Sequence, residues 1–298
     1  MIEKRLVQWY ASDAGIDLDI AEREIVLTYV LRIMADQGLL PHLAFKGGTA
    51  IRKLHLGNRG RFSLDLDFTA ISNIDPETLI LDLVGALNDQ TYYGLTFSIP
   101  SSDYYATPTS SGAEIVYQHE WVTDGRFGIQ VSFRAEPILP IREVTLLPER
   151  YFDWLGIDLP EIPSLDLHEI IGEKVRAAAQ RNRVRDLFDL YQFSDRQFDR
   201  PTVRKIAVIK CWETNFAFDP ENFLASLRDG NFDWLDLRRL VRSGWNIQSE
   251  EVIDKVQTGF GFLSALTSEE VVLAGDPYSR QYKAYRFLTD ELRSSFNK

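Results

Sequence analysis

Two aspartates separated by one residue, Asp65 and Asp67 in the segment RFSLDLDF, have a spacing that suggests chemistry. The alternation of apolar and polar residues predicts a β-strand over residues 64–69, and side chains two positions apart on a strand point to the same face. Two carboxylates about 7 Å apart repel each other unless a cation lies between them. The pair therefore predicts a site for Mg²⁺, which prefers carboxylate and phosphate oxygens. A bare D-x-D is more often part of a solvated strand face, so the interpretation needs a second signal.

That second signal is the glycine pair Gly47–Gly48, which follows a short apolar run predicted to be a strand. Consecutive glycines let the backbone turn tightly and approach a ligand closely, because they lack a Cβ atom. If Thr49 opens a helix, its free N–H groups form a cradle for phosphate. Guanidinium groups add paired contacts to phosphate oxygens, and the arginines assigned to this role are Arg52 and Arg61. A phosphate cradle beside a metal-binding carboxylate pair is what chemistry on a nucleoside triphosphate requires.

A second segment, EKVRAAAQRNRVRDLFDLYQF (residues 173–193), carries a local excess of positive charge in an acidic chain. If the segment forms one continuous helix, Lys174 and Asp189 lie about 60° apart around its axis, and Asp186 lies about 120° from Lys174. This geometry favours Asp189 as the partner of Lys174, with Asp186 as the second choice. Taken alone, the segment is more often a solvated helix with paired charges.

The elements that must position these residues change in character along the chain. Helical periodicity and capping signals predict helices over residues 19–40, 49–56 and 76–88. From residue 92 to 147, β-branched and aromatic runs separated by turn residues predict antiparallel strands. After Pro148 the pattern is helical almost to the end. We therefore predict an α+β domain over residues 1–155 and a mostly helical domain over residues 156–298.

Composition excludes several classes of protein. The net charge of -11 argues against a protein that coats nucleic acid through its overall field, so any contact with RNA needs a local basic patch. No apolar run approaches the length of about 20 residues that spans a bilayer, and the N-terminal residues do not predict a signal peptide. The single cysteine, Cys211, excludes an internal disulfide and fits a reducing cytoplasm, so we expect a cytoplasmic protein without membrane contact.

Both segments resemble a known family. Strand, glycine pair, helix and a strand with D-x-D are similar to the nucleotidyltransferase superfamily of polymerase β type. More narrowly, FKGGTAIRKLHL and RFSLDLDF resemble the pattern K-G-G-T-A-L-R…R-F-S-x-D-[IL]-D of the AbiEii/AbiGii toxins of type IV toxin–antitoxin systems, which include the MenT toxins. The segment of residues 173–193 is similar to the K-x-x-A…R-D-x-x-D-L-Y pattern of the same family.

The resemblance implies a polymerase β-like core with a mixed or antiparallel sheet, a helical C-terminal half that contributes Lys174 and Asp189 to the cleft, and a set of site residues. Those implied to act in catalysis are Asp65, Asp67, Lys174 and Asp189, the first two also as Mg²⁺ ligands. Those implied to bind the NTP substrate are Lys46, Gly47, Gly48, Thr49, Arg52, Arg61 and Ser63. Those assigned to RNA are Arg176, Arg181, Arg183 and Arg185.

The implied activity is transfer of a nucleoside monophosphate to RNA, above all the 3′ end of tRNA, with translation blocked as a result and a cognate antitoxin as partner. Two alternatives stay open. The chain could modify a protein or a small molecule, or it could bind nucleotide without turnover. The second alternative draws on Gln130 in GIQVSFR, where relatives often carry a third carboxylate. An amide cannot remove a proton, so Gln130 does not supply a general base.

Overall fold

The computed structural model describes residues 2–279 and 281–296 and divides the chain into two compact units. The first unit comprises Met1–Glu136, Ile141–Ser164 and Arg239–Gly244, and the second comprises Pro137–Pro140, Leu165–Arg238 and Trp245–Lys298. The division into residues 1–155 and 156–298 stays a prediction.

The first unit contains a mixed sheet that has nine strands within the described residues. The strands are β1 Leu43–Lys46, β2 Leu66–Ala70, β3 Thr91–Tyr92, β4 Leu95–Ser98, β5 Tyr104–Thr107, β6 Ser110–His119, β7 Val122–Ser132, β8 Arg142–Thr145 and β9 Glu161–Ser164. They lie in the order β3-β4-β6-β7-β2-β1-β9-β8, and β5 pairs with β6. Strand β2 runs antiparallel to β1 and parallel to β7, so the two predicted motifs lie on neighbouring strands in the middle of the sheet.

The helices of the first unit are α1 Lys4–Ala14, α2 Leu18–Asp36, α3 Gly47–Ala50, α4 Pro76–Leu87 and α5 Phe152–Leu155. Helix α2 is buried along most of its length, which explains its many apolar residues. Helix α3 begins at Gly47, two residues before the predicted start, and continues as a π-helical turn over Ile51–Leu56. Strand β2 begins at Leu66, so Asp65 lies in the bend that precedes the strand.

The second unit is helical. Its helices are α6 Leu167–Gln180, α7 Val184–Phe193, α8 Arg200–Glu213, α9 Pro220–Ser226, α10 Trp234–Arg239 (whose last residue belongs to the first unit), α11 Ser249–Gly259, α12 Ser268–Gly275 and α13 Tyr282–Phe296. The assumption of one continuous helix through residues 173–193 is wrong, because the chain is extended at Arg181 and Arg183 between α6 and α7. The rotation angles derived from a continuous helix therefore do not apply.

Cys211 is buried in α8, as expected for a small apolar side chain in the core. Among the described residues, none of the helices combines the length and the apolar character that crossing a membrane needs.

Candidate active site

The turn from β1 into α3 is built around Gly47, whose φ of +77° is a conformation that other residues rarely adopt. A Cβ atom added at this position would lie 2.3 Å from Oδ2 of Asp67. The carboxylate of Asp67 thus packs directly on the backbone of the turn. The glycine is required here both by its backbone angle and by this close approach.

Gly48 makes room for the side chains of Arg61 and Ser63. A Cβ atom there would lie 2.6 Å from Nη2 of Arg61 and 3.0 Å from Oγ of Ser63. Both residues were predicted to contact phosphate, and both lie against the first turn of α3. A helix N-terminus, a guanidinium and a hydroxyl thus lie close together, and these are donor types that suit an anion. Gly48 and Arg61 are buried, and Nη1 of Arg61 donates to the carbonyl of Phe62 at 3.1 Å.

Asp65 is an exposed residue fixed from two sides. The backbone N–H of Gly128, in β7, donates a hydrogen bond of 2.9 Å to Oδ1 of Asp65. The hydroxyl of Thr49 donates to the backbone carbonyl of Asp65. Thr49 is buried, so its side chain ties α3 to the aspartate segment rather than facing a ligand.

Asp67 occupies the centre of a row of paired residues. It lies opposite Lys46 of β1 and opposite Gln130 of β7. Directly opposed residues project to the same face of a sheet, and neighbouring strands are about 4.8 Å apart. The amide of Gln130 therefore stands next to Asp67.

The donor set fits Mg²⁺. Within the described part of the chain, no group of three or more His, Cys, Asp or Glu side chains is arranged to hold a metal ion. Mg²⁺ usually takes one or two carboxylates together with phosphate oxygens of its substrate rather than a complete cage of protein ligands. Asp65 and Asp67, with Asp67 packed against the glycine turn, offer two carboxylates of this kind.

Arg52 lies elsewhere. Its side chain is 0% exposed, and its guanidinium pairs with Glu24 at 3.2 Å and with Glu149 at 3.1 Å. It also donates to the carbonyl of Gly60 at 2.9 Å and lies 3.8 Å from the ring centroid of Phe62. The group holds the loop after α3 in place, so we leave Arg52 out of the proposed nucleotide site.

In the second unit, Lys174 is held by two carboxylates rather than one. Its Nζ lies 2.7 Å from Asp189 Oδ2 and 3.0 Å from Asp186 Oδ1. Burial alone would raise the pKa of Asp186, but Lys174 and Arg181 together lower this pKa to about 2. The stabilisation from this carboxylate is present above its unfolded pKa of about 3.9 and is lost as the pH falls through about 2.

The four arginines assigned to RNA differ in their surroundings. Arg181 pairs with Asp186 at 2.8 Å, and Arg185 forms a two-point pair with Asp236 at 2.6 Å. Arg176 donates to Gln180 at 2.7 Å. Arg183 is exposed at the N-cap of α7. Arg176 thus makes a contact within α6, Arg181 links the end of α6 to α7, and Arg185 links α7 to α10. Arg183 is the one of the four that we carry forward as a candidate contact for RNA.

Sequence reasoning missed two residues near the carboxylates. Gly128 supplies the backbone donor for Asp65, and a Cβ atom there would lie 3.2 Å from Oδ1 of Asp65. Tyr105 of β5 accepts a hydrogen bond from Nε2 of Gln130 at 3.2 Å. The first had a signal, since Gly128 precedes Gln130 within GIQVSFR. The second had none, because no motif distinguishes a tyrosine in SSDYYATPTSSG.

Comparison with known proteins supplies the remaining observations. The sequence matches the family model described as "Nucleotidyl transferase AbiEii toxin, Type IV TA system" over residues 29–257, more than half of the chain. Among solved structures, the chain is similar to MenT4, a nucleotidyltransferase toxin from Mycobacterium tuberculosis H37Rv. That likeness has a TM-score of 0.83 and 24% sequence identity, and it covers 98% of this chain and 100% of that one. It confirms the predicted α+β fold. No curated protein matches the sequence.

Proposed function

The chain belongs to the AbiEii nucleotidyl transferase toxin family of type IV toxin–antitoxin systems, and on this premise we propose that it transfers a nucleoside monophosphate from an NTP to RNA. The acceptor we propose is the 3′ end of tRNA, so that modified tRNA no longer supports translation. A cognate antitoxin is the expected partner. A cytoplasmic site of action is part of the proposal, in keeping with a single, buried cysteine.

The contact of Asp67 with the glycine turn carries the proposal. A carboxylate pair within reach of a phosphate-binding backbone matches the demands of attack on an α-phosphate, where charge must be neutralised and the reactants aligned. We assign Asp65 and Asp67 to Mg²⁺, which when bound would neutralise charge on the triphosphate. The residues assigned to the phosphates are Lys46, Gly47, Gly48, Arg61 and Ser63, with Thr49 holding the turn.

The proposed step is a displacement at phosphorus. An oxygen of the acceptor hydroxyl forms a bond to the α-phosphorus, and the bond from that phosphorus to the bridging oxygen breaks. Pyrophosphate leaves with the electron pair, and the hydroxyl proton passes to solvent. We assign Lys174, held by Asp189 and Asp186, to neutralising charge on the β- or γ-phosphate.

The experiment that tests this activity is incubation of the purified protein with each of four α-labelled NTPs and either total tRNA or lysate protein. We expect label on tRNA from at least one NTP and none with Asp65→Ala. Label on protein alone would show that the acceptor is a protein and not RNA. NTP binding without any transfer would support the nucleotide-binding module instead.

The contact with RNA is tested at Arg183. Because phosphate contacts release counterions, we expect Arg183→Ala to weaken tRNA binding and to reduce the slope of log K against log salt by about one. Fluorescence anisotropy between 50 and 200 mM salt, the range over which such affinities change most, measures both quantities. Arg228→Ala is the matched control, since Arg228 is an exposed arginine of the same unit that pairs with Asp254 at 2.6 Å. Equal slopes for Arg183→Ala and wild type would place the RNA surface elsewhere.

A further inference from the structure

A row of four residues crosses the sheet from the carboxylate pair to its edge. Asp67 of β2 lies opposite Gln130 of β7, Gln130 lies opposite Gly112 of β6, and Gly112 lies opposite Tyr105 of β5. Directly opposed residues project to one face, so the side chains of this row share the face that carries Asp67.

Gly112 allows the ends of the row to meet. A Cβ atom at Gly112 would lie 3.1 Å from both Cε1 and Oη of Tyr105. The tyrosine ring therefore lies across β6, over the position where any other residue would place a side chain. In this orientation its hydroxyl reaches β7, where it accepts a hydrogen bond from Nε2 of Gln130 at 3.2 Å. The same hydroxyl lies 3.3 Å from Oγ of Ser110 in β6.

The hydrogen bond to Tyr105 sets the direction of the Gln130 amide. With Nε2 donating to the phenolic oxygen, the carbonyl Oε1 is the acceptor that the amide offers to another group. This oxygen is neutral and cannot act as a base. It belongs to a residue on the strand next to that of Asp67. Both Gln130 and Tyr105 are exposed, and Tyr105 is 44% accessible to solvent.

We propose that Gln130, oriented by Tyr105, binds a ribose hydroxyl of the substrate through Oε1. The inference rests on the proposed function, because the α-phosphate of the NTP, which is proposed to react beside Asp65 and Asp67, is attached to a ribose. A hydroxyl is the natural donor to a fixed amide oxygen. The hydroxyl belongs either to the NTP or to the terminal nucleotide of the acceptor, and the experiment separates these sources. Tyr105 is a positioning residue that acts through Gln130.

The test compares Gln130→Met, which keeps the length of the side chain, with Gln130→Glu, which keeps an acceptor oxygen. Substrates are the NTP that the wild-type protein uses, its 2′-deoxy and 3′-deoxy forms, and an acceptor RNA with a terminal 2′-deoxynucleotide. We measure Kd for the nucleotides by calorimetry and kcat and KM for transfer. Gln118→Met is the matched control, since Gln118 is an exposed glutamine of β6 in the same sheet.

We expect removal of the ribose hydroxyl that Gln130 binds to lower the affinity or kcat/KM of the wild-type protein for that substrate about tenfold, the worth of one good hydrogen bond. Gln130→Met should lower the same quantity about tenfold for the substrate that carries the hydroxyl. For the deoxy substrate, Gln130→Met and the wild-type protein should give equal values. Gln130→Glu should regain part of the loss and keep the dependence on the hydroxyl. Tyr105→Phe should give a smaller loss with the same dependence. A deoxy effect confined to the NTP or to the acceptor identifies the source.

Two results would overturn the inference: Gln130→Met unchanged on every substrate, or weakened equally on ribose and deoxyribose forms. Full activity and affinity of Tyr105→Phe would remove Tyr105 from it. Failure of the proposed function looks different. The wild-type protein would then transfer no nucleotide, while calorimetry would still report whether bound nucleotide depends on its hydroxyl and on Gln130.

Discussion

Replacing Asp67 by asparagine should lower nucleotide transfer by about 10³-fold or more, while the first unit stays folded. The substitution keeps the shape that packs against Gly47 and removes only the charge. Losing a charged group that stabilises the transition state in a preorganised site costs factors of this size. The measurement is the initial rate of label transfer over a titration with Mg²⁺, with circular dichroism as the check of folding.

Asp82→Asn is the control for this prediction. Asp82 is an exposed aspartate of α4 in the same unit, and its variant should transfer nucleotide at the wild-type rate. If Asp67→Asn kept more than about one tenth of the activity, the metal-binding role of the pair would fail. Recovery of its rate at high Mg²⁺ would instead point to weakened metal binding as the main defect.

The sequence predicted the centre of the first unit well because each requirement there is local. Gly47 has a φ of +77°, and Gly48 lies against Arg61, so both positions exclude other residues on steric grounds. Such requirements are visible in the sequence as a glycine pair. The bend at Asp65 was harder to predict. Alternating residues suggested that the strand starts earlier, but the hydrogen bond from Gly128, distant in sequence, fixes Asp65 outside it.

The second segment illustrates the opposite case. Lys174 binds both Asp186 and Asp189 because the chain breaks between α6 and α7 and brings the start of α7 back toward Lys174. No glycine or proline marks that break in QRNRV. The pair of Arg181 with Asp186 forms across it, and such a tertiary contact is not visible in helical periodicity.

Arg52 shows why a residue type near a motif is weak support for a role. Its partners Glu24 and Glu149 come from remote parts of the sequence, so their convergence could not be anticipated. Burial would raise the pKa of Glu24, yet Lys53 and Arg52 hold this pKa below its ordinary value. The carboxylate therefore stays ionised at neutral pH. The stabilisation that it gains from the two cations is present above the ordinary pKa of a glutamate and is lost as the pH falls through the lowered pKa of Glu24.

Replacing Arg52 by methionine should destabilise the first unit by about 3–5 kcal/mol, the usual cost of breaking a buried ion pair from one side. The variant would leave the carboxylate of Glu149 buried without its guanidinium partner and would remove the donors to the loop carbonyls of Gly57 and Gly60. Urea unfolding followed by tryptophan fluorescence measures the change.

Arg59→Met is the matched control, because Arg59 is an exposed arginine in the same loop. Surface substitutions of this kind change stability by at most about 0.5 kcal/mol. A second measurement, NTP affinity at a temperature where both variants are folded, separates the two roles considered for Arg52. If Arg52→Met were as stable as wild type but had lost its NTP affinity, the guanidinium would contact nucleotide after all. A large loss of stability with affinity retained would establish that Arg52 shapes the loop between the glycine turn and the carboxylates.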